Sequence, residues 1–455
     1  MNAFFSRFWH TLQHKWLQTR RWSRKSVSLS ILLMGATLVA LASLLFAKLA
    51  DWALEKNAQW VAQYPWFAWV ALPLGLPVIL WLTRRFAPYT AGSGIPQVIA
   101  SLALPSGTHK KHALGFWATM LKIPLTFLGM LAGASIGREG PSVQVGAAVM
   151  ASWGRWCEKR HWRTRLQEND LIAAGAAGGL AAAFNAPLAG VIFAIEELGR
   201  NVMLRWERQI FIGILAAGFV QVAIMGNSPY FRHFSATPLP HIFAWVCVCA
   251  VVCGISGGLF ARFLYKGALA FAPLKWRTIL YQHPFLLAFI LGLALAFLGT
   301  ISYGDTYGTG YYAASNALHG EYNAPFAVAL AKWAATVFSY WAGIPGGIFT
   351  PSLTIGAMIG QHLADFAHLT MGMNVVVLIC MSAFLASATQ SPLTASVIVM
   401  EMTGSQSLLI WLIIASLIAS QLSRLFSPKP FYHLSSTRFR DKINQELSPK
   451  QIAKM

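Results

Sequence analysis

A glutamate flanked by glycines, Glu139, has a residue type and a setting that indicate chemistry. It lies in Gly137-Arg138-Glu139-Gly140-Pro141, where the proline predicts that a helix begins. A carboxylate at a helix N-terminus is itself an anion in a place that attracts anions. When ionised it can occupy that place and exclude other anions, and when protonated it can swing away. Glu139 is therefore predicted to be a proton-operated gate, and the alternative is a solvated loop glutamate.

Four short segments share this design of a turn-forming residue followed by a proline. They are Gly92-Ser93-Gly94-Ile95-Pro96, Gly137-Arg138-Glu139-Gly140-Pro141, Asn185-Ala186-Pro187 and Gly346-Gly347-Ile348-Phe349-Thr350-Pro351. Glycine lets backbone amides turn outward and lets a ligand approach closely. Several helix N-termini that converge would hold a desolvated anion without a full buried cation. The alternative is a set of ordinary Gly/Pro helix breaks, but four segments, most of them duplicated, favour the anion site.

The composition indicates that lipid covers much of the surface. Apolar residues make up 56% of the chain and charged residues 11%, whereas a soluble domain has about 25% charged residues. The net charge of +20 comes from basic clusters between apolar stretches. The positive-inside rule makes these clusters cytoplasmic, so residues 1–26 are predicted to form a basic cytoplasmic N-terminal segment. A nucleic-acid partner is disfavoured because no basic, aromatic-interleaved soluble module is present.

Long apolar runs predict helices that cross a bilayer. They are Val27–Ala47, Trp66–Leu82, Ala113–Ala134, Ile210–Met225, Ala244–Phe271, Phe285–Ile301, Ala324–Trp341 and Leu408–Leu425. Between them lie shorter apolar segments with Gly and Pro, several of which are too short to cross as straight helices. Short segments in matching places of two halves indicate the binding site of a transporter.

One pair of motifs shows an internal duplication. Lys122 precedes Pro141 by 19 residues, Lys332 precedes Pro351 by the same 19, and Pro-Ser-x-x-x-Gly-Ala occurs in both copies. The two lysines could attract anions toward a pathway. Capping of helix C-termini or pairing with acids is the favoured role for them.

A second pair of motifs follows in the same order. Pro187 and Glu196 are nine residues apart, as are Pro392 and Glu401. Glu196 is thus expected to be structural, at a subunit interface or paired with a base. The halves are predicted to cover about residues 27–225 and 240–425, with the chemistry at their interface.

The glycine-rich motifs resemble, in order and spacing, the three signature motifs of the CLC chloride channels and transporters. The resemblance rests on residues 92–96, 137–141 and 347–351 and covers about residues 30–435. It implies an all-α polytopic membrane protein with a CLC-type fold of two inverted-topology repeats with broken and re-entrant helices. The transmembrane domain would cover residues 27–433. The resemblance also implies a homodimer with one anion pathway in each subunit.

The residues of the chloride site follow from the same resemblance. Ser93 is expected to be the central hydroxyl donor, Ile348 and Phe349 to give backbone N–H groups, and the Tyr432 hydroxyl to complete the site. Tyr432 could instead be an interfacial anchor, but its Pro-x-Tyr setting favours the site. Serine at position 93 implies chloride as the ion. Gln97 departs from the glutamate of many relatives, and its effect on gating or packing is left open.

Two glutamates distinguish an exchanger from a channel in this family. Glu139 matches the gating glutamate, and Glu197 matches the inner glutamate that transfers protons in exchangers, where channels typically have a neutral residue. The chain is therefore predicted to be a secondary active transporter that exchanges chloride for protons, with a passive chloride channel as the alternative. Chloride and protons are the transported ions, and no cofactor or metal is expected. The tail, 434–455, is too short for paired nucleotide-sensing domains, which favours a bacterial inner-membrane protein.

An intramembrane serine protease is the alternative from another class, since Gly92-Ser93-Gly94 resembles the setting of a nucleophilic serine. Such an enzyme needs a base within hydrogen-bond reach of the serine. Histidines such as His109, His161, His283 and His433 lie in loops or at span ends, and none is an evident partner. A purely structural scaffold would have no need of two glutamates inside the bilayer.

Overall fold

The structure of the chain is a computed structural model that describes residues 2–105, 107–162, 166–200, 208–231, 239–369 and 371–447. The side chains before Ser26 and at Gln209 lie outside the described set, so most of the predicted basic N-terminal segment does too. Residues 448–455 of the predicted tail also lie outside it.

The first half forms α1 (Asn2–Gln63), α2 (Phe67–Phe86), α3 (Ile95–Ala103), α4 (Thr108–Ala113), α5 (Phe116–Met120), α6 (Lys122–Ala132), α7 (Glu139–Lys159), α8 (Glu168–Phe184), α9 (Pro187–Phe193), a π-helical turn (Ala194–Leu198) and α10 (Arg208–Met225).

The second half repeats this pattern of long and short helices. It forms α11 (Ile242–Lys266), α12 (Leu274–Gln282), α13 (Pro284–Ile301), α14 (Tyr311–His319), α15 (Phe326–Trp341), α16 (Phe349–Phe366), α17 (Met373–Thr389), α18 (Pro392–Thr403), α19 (Leu409–Ser423) and α20 (Phe431–Glu446). Five segments of the described chain are long and apolar enough to cross a membrane: Ser26–Gln63, α2, α11, α13 and Gln406–Ser423. A bent pair, Thr108–Met120 with Lys122–Ala132, would be a sixth, with an angle of 54° between its parts. The predicted all-helical architecture, with short helices between the spans, is confirmed for the described residues.

The centre of each half is a helix that protein surrounds on all sides. Every residue of α8 from Asp170 to Phe184 is buried, and so is every residue of α17 from Val375 to Thr389. Helices that are apolar all round belong in such a position. Glycines bring the neighbouring helices close: a Cβ on Gly360 of α16 would lie 2.6 Å from the Cα of Val377 on α17. Small residues thus hold the central helices in backbone contact, as is common in membrane bundles.

The equivalent helices α9 and α18 run antiparallel and cap each other. The Glu196 carboxylate, just after α9, accepts hydrogen bonds from the N–H groups of Leu393 and the next residue of α18, at 3.1 and 2.6 Å. Glu401, near the end of α18, accepts in the same way from Leu188 and the next residue of α9, at 3.1 and 2.7 Å. A carboxylate at a helix N-terminus satisfies orphan donors and complements the helix dipole. Because equivalent helices point in opposite directions, the repeats are inverted, and Glu196 is held by backbone N–H groups where a basic partner was one expectation.

The turns that lead into α9 and α18 have matching backbones. Asn185 and Gln390 both adopt the left-handed region, with φ of 54° and 59°. The side-chain amide of Asn185 donates to the carbonyl of Ser228 at 3.0 Å, and that of Gln390 donates to the carbonyl of Ser427 at 2.5 Å. These bonds stabilise a conformation that residues other than glycine rarely adopt. Each turn then delivers a proline to the first position of the next helix.

Candidate functional site

Three glycine-rich loops, far apart in the sequence, are joined by backbone hydrogen bonds where the halves meet. Gly137 and Gly347 exchange two such bonds, of 2.8 and 2.7 Å. Gly92 donates to the carbonyl of Ile344 and accepts from the N–H of Gly346, both at 3.1 Å. The loops therefore form one rigid junction, and α3, α7 and α16 all begin from it.

The four predicted helix starts are confirmed. The helices begin at Ile95, Glu139, Pro187 and Phe349, each with a proline within its first three residues. The first N–H groups of a helix have no acceptor within the helix itself. The junction of the loops therefore collects N–H donors from several helix ends.

Glycine is required at two points of this junction because two backbone segments nearly touch there. A Cβ on Gly94, whose φ is +104°, would lie 2.8 Å from the carbonyl oxygen of Gly140. A Cβ on Gly140 would overlap the Oγ of Ser93 and lie 2.8 Å from its carbonyl oxygen. A real Cβ does not tolerate such distances, so any side chain here would push the Ser93 loop away from α7.

Ser93 and Tyr432 bring two hydroxyl groups to the same buried place. Ser93 is 1% exposed, Tyr432 is fully buried, and the tyrosine hydroxyl lies beside Ser93. The ring of Tyr432 stacks on that of Phe349, with centroids 5.9 Å apart and planes at 11°. Neither hydroxyl has a well-formed hydrogen bond to the described protein. Buried polar groups normally have partners, so these two are suited to an external ligand.

Ile348 and Phe349 give the junction its backbone donors from the second half. Ile348 is the N-cap residue of α16 and Phe349 its first helical residue, and both are 2% exposed. Their N–H groups lie at the end of α16 that carries the positive part of the helix dipole. The structure thus brings Ser93, Ile348, Phe349 and Tyr432 together around one point.

The Glu139 carboxylate lies inside this arrangement and not in solvent. The residue is fully buried as the first residue of α7, and its carboxylate lies against Gly137 and Pro351, beside Thr350. Neither carboxylate oxygen has a well-formed hydrogen bond to the described protein. The solvated-loop alternative is therefore wrong for Glu139. The carboxylate stands where the N-terminal ends of α7 and α16 meet.

Arg138, the cation nearest to this glutamate in sequence, makes its hydrogen bonds away from the junction. Its guanidinium donates to the carbonyl of Ala47 and to the carboxylate of Asp51, both at 2.6 Å, on α1. A cleft of about 860 Å³ borders this pair and is lined by Arg138, Asp51, Tyr230 and Tyr311, among others. The direct donors at the junction are therefore helix ends and hydroxyls, while the Arg138 charge acts on the Glu139 carboxylate without a hydrogen bond between them.

The duplicated lysines hold loops in place. The buried Lys122 donates from Nζ to the carbonyls of Thr90 and Gly92, at 2.8 and 2.9 Å, and to the side chain of Gln144 at 2.8 Å. Capping of helix C-termini and pairing with acids were the expectations for Lys122. The bonds it makes go instead to the loop that carries Ser93, so this lysine positions the site.

Lys332 makes the equivalent bonds in the second half. It donates from Nζ to the carbonyls of Thr306 and Gly308, at 3.0 and 2.9 Å, just before α14. This identifies Gly308-Thr309-Gly310 as the counterpart of Gly92-Ser93-Gly94, a third element of the duplication that the sequence analysis missed. The signal was present as a second Gly-hydroxyl-Gly triplet before a short helix. The second triplet lacks the following proline. The separation between the two triplets also differs by six residues from the separation between the two lysines.

Glu197 lies buried in the π-helical turn, next to His433, the third residue of α20. Ser391 donates a hydrogen bond from its hydroxyl to Oε2 of Glu197, and Nε2 of His433 lies 3.6 Å from Oε1. His433 directly follows Tyr432 in the chain, so the inner glutamate and the hydroxyl site are joined through two adjacent residues. Neither Ser391 nor His433 could be assigned to Glu197 from the sequence, because only the fold brings α18, α20 and the turn together.

Gln97, which departs from the pattern of many relatives, has a local structural role. The side-chain amide of Gln97 donates to the carbonyl of Ala91 at 2.5 Å. The backbone carbonyl of Gln97 accepts from the Ser101 hydroxyl at 2.7 Å. The residue is 6% exposed. Gln97 therefore ties the start of α3 to the loop before it, which favours packing between the two roles left open.

Comparison with known proteins places this architecture in a family. Residues 74–424 match the family model described as voltage gated chloride channel. The H(+)/Cl(-) exchange transporter ClcA of Cronobacter sakazakii is 30% identical over 436 residues, which cover 90% of each protein. The protein of the same name from Salmonella paratyphi B is 28% identical over 460 residues, which cover 95% of this chain and 93% of that one.

A solved structure shows the same fold over nearly the whole chain. The X-ray structure of a slow cyanobacterial Cl−/H+ antiporter has a TM-score of 0.76 to this chain and 27% sequence identity. The match covers 92% of this chain and 99% of that one. Together with the spans, the inverted repeats and the junction of signature loops, these likenesses show that the chain is a multi-pass membrane protein of the voltage-gated chloride channel family, the CLC family.

Proposed function

We propose that this protein is a secondary active transporter that exchanges chloride for protons across the bacterial inner membrane. The observation that carries the proposal is the placement of two buried glutamates. Glu139 lies within the junction of helix N-termini, and Glu197 lies on the far side of Tyr432, through His433. An intramembrane acid is expensive to bury and is functional by default. The relatives named as exchange transporters support the same activity.

The proposed chloride site uses hydroxyl and backbone N–H donors, with no free cation among the described residues that form it. Ser93 and Tyr432 would donate their hydroxyl protons, and Ile348 and Phe349 their backbone N–H groups. These groups are fixed in advance by the loop junction and by Lys122 behind it. A site of this kind compensates for the lost hydration of a monovalent anion while holding it weakly enough to release it.

Glu139 would couple chloride to protons by competing for the helix ends. As an ionised carboxylate it is held by the N-terminal dipoles of α7 and α16 and excludes chloride from that place. When a proton neutralises it, this attraction is lost and chloride can take its position. Binding of a proton and passage of chloride thus become linked steps, which is the requirement for exchange.

Glu197 favours exchange over a passive channel. A channel needs the gate but has no use for a second buried acid on the inner side. Its carboxylate is positioned by Ser391 and His433, so it can give and receive a proton in a fixed place. The protease alternative has no support, since Ser93 Oγ has no hydrogen-bonded base among the described residues.

The surface around α9 and α18 favours a homodimer. These helices have 7 and 12 residues, and the carboxylates that cap them lie at their exposed ends. Lipid contact with such groups is costly, so a second protein surface is expected to cover them. Exposed apolar side chains surround them: Leu188, Ile195, Phe219, Leu393 and Ile410. Light scattering in detergent is expected to give twice the chain mass of 49.8 kDa, and a single chain mass contradicts the dimer.

The topology completes the proposal. The N-terminus and the tail after α20 would face the cytoplasm, since their basic residues obey the positive-inside rule. The domains would be a basic N-terminal segment over 1–26, a transmembrane domain over 27–433 and a cytoplasmic tail over 434–455. Every residue of the chloride site comes from one chain, so each subunit would have its own pathway.

The experiment uses purified protein in liposomes loaded with high chloride and diluted into low chloride. External pH and chloride are recorded together, with and without a proton ionophore. We expect the chloride gradient to drive protons inward, and Glu197→Gln to abolish proton movement while chloride still flows. Chloride loss without proton movement in the wild type would show a channel and leave Glu197 a structural residue.

A further inference from the structure

The buried histidine beside Glu197 has no role in the chloride site or the gate. His433 is 7% exposed, and its Nε2 faces Oε1 of the Glu197 carboxylate at 3.6 Å. The ring also hydrogen-bonds the backbone of Glu197. The other carboxylate oxygen, Oε2, is engaged by the Ser391 hydroxyl. The imidazole therefore lies on the one oxygen of Glu197 that Ser391 does not hold.

We propose that His433 transfers protons between Glu197 and the cytoplasmic surface. The chain leads from the buried ring to the surface within a few residues: Lys429 is exposed on one side of it and Thr437 on the other. Imidazole can carry a proton on either nitrogen, so the ring can accept a proton on one side and give one to the Glu197 carboxylate on the other. The proposal rests on the proposed exchange of chloride for protons and adds to it the donor and acceptor of the inner glutamate.

In each transfer, one proton passes between the His433 ring and the Glu197 carboxylate. In the outward direction, an imidazolium at His433 gives the proton on Nε2 to Oε1 of the Glu197 carboxylate. The products are a neutral imidazole and a carboxylic acid, and water at the cytoplasmic surface then supplies the next proton to the ring. In the inward direction the carboxylic acid returns its proton to neutral imidazole, which releases it to water.

The charged neighbours of the ring come from the π-helical turn and the residues after it. Glu197 faces the ring directly, and Arg200, whose guanidinium donates to the Gln390 carbonyl at 3.1 Å, also acts on it. Glu196 is committed to capping α18. α3 and α17, which pack on α20, carry no charged side chain.

The remaining neighbours of α20 act farther along it. Tyr265 of α11 holds Arg438 of α20 by a stacked contact, with 3.6 Å from the guanidinium carbon to the ring centroid. The loop before α3 places Tyr89 against Glu446, near the far end of α20, where His112 of α4 also packs on Tyr89. Among the described residues of α20, His433 is therefore the titratable side chain that contacts Glu197.

Two substitutions separate proton transfer from mere positioning. His433→Gln keeps a side chain that can hydrogen-bond Glu197 but cannot titrate, and His433→Leu removes both properties. The full chain in liposomes is assayed for proton and chloride flux together, with the pH of one compartment varied from about pH 5 to about pH 8. His112→Gln, at an exposed histidine, is the matched control.

We expect both variants at His433 to lower the ratio of protons to chloride by about tenfold. This is less than the roughly 10²–10⁴-fold that a positioned acid or base contributes, because water still supplies some protons to Glu197. The loss should grow as the pH rises, because water alone then has to supply protons to Glu197. Calorimetric chloride binding should stay as in the wild type. His112→Gln should exchange normally.

Three results would overturn the proposal, and they differ from one another. If His433→Gln exchanges normally and only His433→Leu fails, the histidine positions Glu197 and carries no proton. If both variants lose chloride binding, His433 supports the chloride site. If the wild type itself moves no protons, the proposed exchange fails and the relay fails with it.

Discussion

Two loops of this protein, Gly92-Ser93-Gly94 and Gly308-Thr309-Gly310, have the same support and different environments. A buried lysine binds the carbonyls of each, Lys122 in the first half and Lys332 in the second. Each loop precedes a short helix of nine residues, α3 and α14. The duplication has therefore kept the scaffold of the loop in both halves.

The hydroxyl groups of the two loops are used differently. Thr309 accepts a hydrogen bond at its hydroxyl from the N–H of Tyr311 at 3.3 Å, and its carbonyl accepts from Thr354 at 3.0 Å. Ser93 lies against Gly140 and Tyr432 with no such bond at its hydroxyl. The Thr309 hydroxyl of the second loop therefore has a hydrogen-bond partner close by in the chain, whereas the Ser93 hydroxyl of the first loop faces the junction.

The helices that follow the signature loops differ in the same sense. With the offset of 210 residues set by the lysines, Glu139 of α7 corresponds to Phe349 of α16. One half thus contributes a carboxylate at the junction, and the other contributes an aromatic ring and its backbone N–H groups. The two halves thus share equivalent loops and helices but contribute different groups to one asymmetric site. Substitutions at matched positions of the two halves can test this difference.

The largest effects are expected from Lys122→Met and Lys332→Met. Each substitution leaves buried carbonyls without their donor, at about 1–3 kcal/mol for each unsatisfied group. Thermal unfolding in detergent should show a similar loss of stability for both. Only Lys122→Met should weaken chloride binding, measured by calorimetry, because its loop carries Ser93. Equal losses of chloride affinity in the two variants would contradict the assignment of the site to the first loop.

Gly140→Ala should disrupt the site with less damage to the fold. The added methyl group would overlap Ser93, and overpacking of this kind costs about 1–3 kcal/mol. We expect chloride affinity to fall about tenfold, the equivalent of about 1.4 kcal/mol. Gly154→Ala is the matched control, because it adds the same methyl group to α7 where it would overlap Leu171 and not Ser93, and it should leave chloride affinity unchanged. A Gly140→Ala protein that binds chloride normally would show that the close approach has no role.

Glu196→Gln and Glu401→Gln test the symmetric part of the structure. Each removes the charge from a carboxylate that caps a helix, and we expect each to lower stability by about 1 kcal/mol. Because the two caps are equivalent, the two losses in thermal unfolding should be similar. A loss in only one variant would show that the reciprocal capping is not shared equally.

The smallest expected effect separates the two hydroxyls directly. Ser93→Ala removes a donor to chloride, worth about 1 kcal/mol, and should weaken chloride binding about fivefold. Thr309→Val keeps the shape of the side chain and should leave chloride affinity unchanged. Calorimetric titration of both variants gives the answer, and a loss at Thr309→Val equal to that at Ser93→Ala would remove the distinction between the loops.

The sequence predicted the parts of the fold that local chemistry determines. Proline after glycine or asparagine marked the starts of α3, α7, α9 and α16, since proline suits the first turn of a helix. Matched spacing of Lys122 and Lys332 revealed the duplication, and the resemblance to CLC proteins named the site residues. Each single motif, and each copy of the duplicated pair, lies within about twenty residues of sequence.

What the sequence did not show depends on contacts between distant segments. The antiparallel capping by Glu196 and Glu401 follows only once the repeats are inverted. The bonds of Lys122 to a loop thirty residues earlier and the contact of His433 with Glu197 need the folded chain. The counterpart of Ser93, Thr309, was hidden because its loop lacks the following proline.

Anomalous diffraction from crystals of the wild type and of Glu139→Gln grown in bromide, a marker for chloride, tests the central claim most directly. The account predicts a bromide ion within hydrogen-bond reach of Ser93 Oγ and the Tyr432 hydroxyl in both proteins. It also predicts a second ion at the helix ends of α7 and α16 in Glu139→Gln alone, where the carboxylate no longer competes. Bromide at the Gly308-Thr309-Gly310 loop with none at Ser93 would contradict the account.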